Sequence, residues 1–247
     1  MDVIEREQLT PSQALDHWYY QSKFQLLLNA LRSRDSLKAG MKITDVGCGV
    51  GLFLTLLEKS GNAKAEQLLG IDPAYSEAAT AFGGNAVLLP KWPEAESVDL
   101  ALLMDVLEHT PDDIATLKES VQHLKDGGLV FITVPALSWL YSAHDRFLGH
   151  YRRYSVKSLG AVIAACGNLE ICDLHYYFAS ILPVAMPWRF ARRSSKVHED
   201  SDLKQLPFAL NWLLRRIMLL ELHFARMNKV AGLSVVALCK KRGDTIN

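Results

Sequence analysis

Apolar residues first recur at helical spacing over residues 12–34, where Ala14, Leu15, Trp18, Tyr19, Leu26 and Leu27 share a stripe that also holds Ser22. The pattern then shortens. Residues 43–46 read as a buried strand, and an apolar helix begins at 52–57. Residues 67–72 read as a second strand, 75–82 as a short helix and 86–89 as a third strand. The near-continuous apolar run 98–104 is what a strand covered on both faces requires. A helix follows, with Thr110 as its cap, Pro111 in its first turn and Asp112 and Asp113 near its positive end. Ile114, Leu117, Val121 and Leu124 make its apolar face, and Gly127 and Gly128 end it. Residues 129–134 give a fifth strand, stopped by Pro135, and 136–154 form a long loop. Ser155 starts a helix that buries Val156, Leu159, Ile163 and Cys166 and ends before Gly167. Residues 169–176 are a sixth strand, and 234–239 return as an antiparallel strand at the sheet edge. Strands alternating with helices predict an α/β fold: a Rossmann-like, doubly wound, seven-stranded and mostly parallel sheet with an antiparallel last strand.

At 247 residues one domain is expected, divided into an N-terminal helical cover (1–39), a core (40–177), a helical insertion (178–232) and a last strand with its tail (233–247). Formal net charge is zero, which argues against nucleic acid as a partner. The start of the chain is acidic with no apolar run, so no signal peptide is expected. No stretch reaches about 18 apolar residues, so no spanning helix is expected either. Cys48, Cys166, Cys172 and Cys239 are widely spaced and read as reduced thiols of a cytoplasmic protein. No zinc signature is visible, and no metal site is expected.

The candidate chemistry centres on residues 45–51, Asp-Val-Gly-Cys-Gly-Val-Gly. Strand, glycine loop and helix form the first turn of a doubly wound fold, where nucleotide-like ligands sit. Glycines let the backbone approach a ligand closely, and the helix behind them offers unpaired N–H groups. The dinucleotide fingerprint places its third glycine where this chain has Leu52. Asp72, at the tip of the second strand and fixed there by Pro73, is placed to accept hydrogen bonds from ribose hydroxyls. NAD enzymes use the same device, so Asp72 by itself indicates only an adenosine ligand.

Taken together, Asp45-x-Gly47-x-Gly49-x-Gly51, Ile71-Asp72-Pro73, Val98-Asp99 with Asp105-Val106-Leu107-Glu108-His109, and Leu124-Lys125-Asp126-Gly127-Gly128 resemble the class I S-adenosylmethionine-dependent methyltransferases. They are most similar to the small-molecule branch that includes the ubiquinone and menaquinone biosynthesis methyltransferases. The resemblance covers roughly residues 40–177 and 230–241. It implies a cofactor site of Asp45, Gly47, Cys48, Gly49, Gly51, Asp72, Pro73, Asn85, Met104 and Asp105. Asn85 is assigned to the adenine by spacing alone. The resemblance further implies S-adenosylmethionine as the cofactor, with S-adenosylhomocysteine as its product. The acceptor it implies is a small molecule or a lipid- or glycan-linked one, with methylation expected on oxygen. Two other readings stand beside it: a cofactor-binding partner protein without catalysis, and an NAD-dependent oxidoreductase.

Asp145 with Gly149-His150-Tyr151-Arg152-Arg153-Tyr154 resembles a signature of a methyltransferase subgroup whose members look tied to envelope glycan or lipid pathways. His150, His144 and His109 are the candidate bases. Tyr19, Tyr141, Arg152 and Arg153 are the candidate substrate contacts. The arginines either grip a phosphate or carboxylate, or one of them pairs with Asp145 or Glu108 and braces the loop. In the insertion, Arg189, Arg192, Arg193 and Lys196 form a basic group, and residues 197–202 a polar break. Leu203, Leu206, Leu210, Leu213, Ile217, Leu220, Phe224 and Met227 then make an amphipathic helix from near Pro207. Its stripe packs on the body, forms a lid, makes a dimer surface or contacts the inner membrane face peripherally. Monomer and homodimer are both open.

Overall fold

The computed structural model describes residues 9–34, 38, 40–93, 98–192 and 205–243. The chain begins with α1 (Pro11–Asp16) and α2 (Trp18–Arg32), then alternates: β1 (Ile43–Val46), α3 (Leu52–Lys59), β2 (Leu68–Ile71), β3 (Ala79–Thr80), β4 (Val87–Leu89), β5 (Val98–Met104), α4 (Asp113–Gln122) and β6 (Leu124–Pro135). It continues through α5 (Ala143–Phe147), α6 (Val156–Cys166), β7 (Leu169–Tyr177), α7 (Leu182–Arg192), α8 (Phe208–Leu222) and β8 (Ser234–Lys241). One sheet results, in the order β3-β4-β2-β1-β5-β6-β8-β7. The strands from β4 to β6 run parallel, while β3 and β8 pair antiparallel with their neighbours. The chain winds outward from β1 through β2 to β4, then returns to β5 on the other side of β1. That reversal opens a crevice at the carboxyl ends of β1 and β5, where open α/β sheets bind ligands.

Several expectations need correction. The helix expected over 12–34 breaks at His17, which is extended (φ −69°, ψ 134°) between α1 and α2. Asn211 of α8 stabilises the break by accepting from the Trp18 N–H (2.7 Å) and donating to the Asp16 carbonyl (2.9 Å). Residues 75–82 form no helix. They lead into β3, whose hairpin with β4 closes through Ala81 N–H to the Ala86 carbonyl (2.9 Å), while Phe82 N–H bonds the Val50 carbonyl (2.9 Å). Tertiary pairing beneath the glycine loop overrides the alanine-rich helical propensity. The closeness is real: a Cβ at Gly51, which has φ +73°, would lie 2.6 Å from the Ala81 Cβ. Asp112, not Thr110, caps α4, accepting from the Ala115 N–H at 2.9 Å. Gly127 and Gly128 lie inside β6 rather than ending that helix. Residues 136–154 are not irregular: a 3₁₀ turn at Ser138–Leu140 and α5 occupy much of them. Finally, β8 lies between β6 and β7, and β7 is the edge. Val235 to Cys239 are fully buried, as an interior strand requires.

The insertion divides between burial and exposure. Met218 and Leu222 are buried against the core, while Leu213, Leu220, Phe224 and Met227 of the expected stripe are exposed. The Tyr177 hydroxyl bonds the Met218 carbonyl (3.1 Å), and the Glu221 carboxylate accepts from the Ala179 and Ser180 N–H groups. Arg193, Lys196, the 197–202 break and Leu203 lie outside the described residues. Among the described residues, no helix is long and apolar enough to cross a membrane.

His175 on β7 is buried, and neither ring nitrogen has a hydrogen-bond partner among the described residues. Burial, helped by Lys229 and Arg226 against the opposing pull of Asp173, lowers its pKa from 6.5 to about 4. The unfolded chain therefore binds the extra proton first. Stability is full above pH about 6.5 and falls as pH drops toward about 4, by about 3 kcal/mol from this one group. Urea denaturation of the wild type and His175→Leu across that window checks this. The leucine variant is expected to lose distinctly less stability on acidification, and equal losses contradict the assignment.

Candidate active site

A cavity of about 750 Å³ occupies the crevice. Its floor is the glycine loop. Gly47 and Cys48 donate their N–H groups to the Ile71 carbonyl (2.7 and 3.2 Å), folding the loop back over the end of β2. Gly47 and Gly49 take φ of +65° and +52°, and both line the cavity. No side chain there comes between backbone and ligand. Asp72 sits one strand over. Its Oδ2 accepts from the Gly49 N–H (2.8 Å) and its Oδ1 from the Ala74 N–H (2.9 Å). The Tyr75 hydroxyl bonds the Gly49 carbonyl at 2.7 Å. Loop and carboxylate are thus one hydrogen-bonded unit facing the cavity.

Pro73, Met104 and Asp105 complete this wall, with Pro90, Lys91 and Trp92 beside them. Trp92 is held by stacking on His123, with centroids 4.2 Å apart and planes 4° from parallel. Asp105 has φ +59°, a left-handed conformation uncommon outside glycine. Its carboxylate is bonded by the ammonium of Lys23, by the Thr133 hydroxyl (3.1 Å) and by the Tyr19 hydroxyl (3.3 Å). Burial pushes the Asp105 carboxyl up, but Lys23 and Thr133 hold it below its usual range. Lys23 is itself 1% exposed, and its ammonium lies 4.7 Å from the Tyr19 ring centroid.

Part of the cavity lining is polar. Glu108, His109, His144, His150 and Arg153 contribute to it. Asp145 organises this part. Its Oδ2 accepts from the Ser142 N–H (2.8 Å) at the start of α5. Its Oδ1 takes the Arg153 Nε–H (2.7 Å) and lies 3.0 Å from His150 Nδ1. Burial opposes ionisation of Asp145, but His150 and Arg153 outweigh it and hold the carboxyl far below its usual value. Burial, then the nearby charge of Asp105, raises the Glu108 carboxyl well above the usual range. Trp18, Tyr19, Phe178 and Ile181 supply an apolar cover, with Tyr19 stacked on Phe178 at 5.3 Å.

The structure therefore brings Gly47, Gly49, Asp72, Pro73, Met104, Asp105, Tyr19, His109, His144, His150 and Arg153 to one cavity. Asp45, Cys48, Gly51, Asn85, Tyr141 and Arg152 are not among its lining residues. Asp45 is buried under the loop, and burial lifts its carboxyl to about 7. Cys48 packs against Gly70, and burial pushes its thiol up. Asn85 bonds Glu58 through both its amide (2.6 Å) and its backbone N–H (2.8 Å). The Tyr141 hydroxyl bonds the His150 carbonyl at 2.7 Å. Arg152 pairs with Asp113 (2.9 Å) and the Pro111 carbonyl, and Arg153 pairs with Asp145, so both arginines brace the loop. Lys23, Lys91 and Glu108 were absent from the sequence-derived site. Lys23 left a signal: a lysine on the buried stripe of α2. Ligand-type atoms of Glu108, His109 and His150 lie within 4.8 Å of one another.

Fold, glycine loop and strand-tip carboxylate together define a class I, S-adenosylmethionine-dependent methyltransferase. The chain belongs to that family: the sequence profile described as "Methyltransferase domain" matches residues 15–216. It is 28% identical over 110 residues to the ubiquinone biosynthesis O-methyltransferase of Bradyrhizobium diazoefficiens, covering 40% of this chain and 42% of that one. It is 27% identical over 188 residues to the protein of the same name from Nitrobacter winogradskyi, covering 71% and 64%. In both, the chain spans less than two thirds of the relative's length. Among solved structures, a putative sarcosine dimethylglycine methyltransferase from Galdieria sulphuraria superposes with a TM-score of 0.56 at 16% identity, covering 90% of this chain and 86% of that one. The phosphoethanolamine N-methyltransferase 2 of Haemonchus contortus, solved with S-adenosyl-L-methionine, gives 0.54 at 14% identity, covering 89% and 52%. These likenesses concern the fold.

Proposed function

We propose that this chain transfers a methyl group from S-adenosylmethionine to a hydroxyl oxygen of a small acceptor with an apolar, lipid-like part. One observation carries the oxygen assignment: a cluster of carboxyl and imidazole groups lines the same cavity as the glycine loop, together with aromatic side chains. When bound, the cofactor supplies an electrophilic methyl carbon on a sulfonium. Gly47 and Gly49 would give its amino-acid end room, Asp72 would accept from its ribose, and Met104 would border the reacting centre. The residues fit, since Gly47 and Gly49 present bare backbone to the cavity and the Asp72 carboxylate stands beside them. The protein's task is then to hold the acceptor oxygen in line and take its proton. The imidazoles of His109, His144 and His150 are placed to accept that proton. Trp18, Tyr19 and Phe178 hold the apolar part and exclude water. The relatives named O-methyltransferases support oxygen as the acceptor atom.

The test is incubation of the full chain with methyl-labelled S-adenosylmethionine and two probes, dodecylcatechol and dodecylamine. A labelled ether from the catechol is expected, and no labelled amine. Transfer to the amine alone, or to neither probe, contradicts the assignment.

A further inference from the structure

We propose that Asn211 and Glu221, which lie on the insertion helix α8 and outside the cavity, are positioning residues that set the aromatic cover and so select the apolar part of the acceptor. This rests on the reading that the apolar part of the acceptor lies under Trp18, Tyr19 and Phe178. Among the described residues, α8 supplies none to the cavity lining. It nonetheless holds both chain segments that carry the cover.

The first segment is the entry to α2. His17 is extended (φ −69°, ψ 134°), so α1 does not continue into α2. Such a break leaves backbone groups on both sides without helical partners. Asn211 meets one from each side. Its Oδ1 accepts from the Trp18 N–H at 2.7 Å, and its Nδ2 donates to the Asp16 carbonyl at 2.9 Å. Trp18 and Tyr19 are the first two residues of α2, and both line the cavity. The direction in which α2 starts therefore decides where their rings lie.

The second segment is the turn after β7. Phe178 takes φ +63°, a left-handed conformation that a bulky residue keeps only where its surroundings hold it. Glu221 is the holder. Its Oε1 accepts from the Ala179 N–H at 2.8 Å and its Oε2 from the Ser180 N–H at 2.9 Å. One carboxylate thus grips two successive backbone groups through charge-assisted bonds. Turned in this way, the fully buried Phe178 stacks on Tyr19 (5.3 Å, planes 17° apart) and meets Trp18 edge-on (5.9 Å, 90°).

The two clamps therefore converge on one group of rings. They are about 15 Å apart along α8. Between them Arg215 donates to Gln21 of α2 (3.2 Å), and the Met218 carbonyl accepts from the Tyr177 hydroxyl (3.1 Å). α8 is a splint fixed at once to α2 and to the end of β7. Ile181 and Ala185, just beyond the turn that Glu221 holds, line the cavity as well. Releasing either clamp frees the rings on one side to shift. The glycine loop is held separately, by Asp72 and Tyr75, so cofactor affinity should not follow.

The experiment compares the full chain with Asn211→Ala and Glu221→Ala, using dodecylcatechol and unsubstituted catechol as acceptors. In each variant the KM for dodecylcatechol is expected to rise about tenfold with kcat within about twofold of wild type. The KM for catechol and the affinity for S-adenosylhomocysteine are expected to stay near wild type. Glu221→Gln keeps one acceptor oxygen and should fall between. A variant that is merely part-folded loses kcat equally on both acceptors, so the ratio of the two kcat/KM values separates positioning from damage. Hydrogen exchange supplies a readout that needs no acceptor: faster exchange is expected at residues 18–20 in Asn211→Ala and at 179–181 in Glu221→Ala, with 47–51 unchanged. An unchanged ratio in the variants, or unchanged exchange in both segments, overturns the proposal. Should the wild type methylate neither catechol, it is the acceptor reading that fails, and exchange alone then decides whether the clamps hold the cover.

Discussion

Replacing Asp72 with alanine is expected to weaken S-adenosylhomocysteine binding by about 100-fold while leaving the fold intact. Each carboxylate oxygen of Asp72 accepts one backbone N–H, from Gly49 and from Ala74, and keeps a lone pair for a ribose hydroxyl. Hydrogen bonds to a charged group contribute about 1.5–3 kcal/mol each. Losing the ribose contacts, together with the bond that holds Gly49 in place, costs binding roughly 3 kcal/mol, or on the order of 100-fold. Asp72→Asn keeps one acceptor and the side-chain shape, so its loss is expected to be smaller. Calorimetry measures both, with circular dichroism as the folding control. An affinity within threefold of wild type in the alanine variant removes Asp72 from the cofactor site.

Asp105→Asn is the second large effect, and it falls on stability. Asparagine tolerates the left-handed backbone that Asp105 adopts, so the substitution removes charge with little change of shape. Lys23, 1% exposed, then keeps a buried ammonium without its counter-charge. Orphaning one member of a buried pair costs about 3–5 kcal/mol. The Asp105 side chain is 29% exposed, which lets some water reach the pair, so the lower end, about 3 kcal/mol, is expected. Lys23→Met should cost less, because the remaining carboxylate reaches the cavity. The double variant should be more stable than the sum of the two losses implies. Urea denaturation at neutral pH gives all four numbers. A loss below about 1 kcal/mol in Asp105→Asn shows that the pair does not brace the end of β5.

Much of the scaffold was legible because its signals are local. The apolar run 98–104 became β5 as written, and the glycine loop and Asp72 sit one strand apart, as strand–loop–helix punctuation implies. The failures share a cause: partners distant in sequence. The break at His17 depends on Asn211, which α8 supplies. Asn85 was placed by spacing alone, just beyond a segment read as helix. That segment turned into the β3–β4 hairpin, so Asn85 meets Glu58 and the wall of the cavity is Pro90 to Trp92 instead. Arg152 and Arg153 were open between gripping an anion and bracing the loop; successive residues point apart, one to Asp113 and the other to Asp145, and they brace. Glu108 and His150 come from segments tied by the Tyr151 N–H to the Glu108 carbonyl (2.7 Å), just beyond the α5 that Ser142 and Asp145 cap. Nothing in the spacing of 108, 109 and 150 announces that meeting. Lys23 is different: a lysine on an apolar stripe invites the question of which acid it faces.

A crystal structure of the full chain with S-adenosylhomocysteine tests the whole account most directly. The account expects the ribose hydroxyls on the Asp72 carboxylate, with the homocysteine end over Gly47 and Gly49 and the sulfur turned toward the Glu108–His150 end. A nucleoside bound elsewhere, or Asp72 turned away from a bound one, contradicts it.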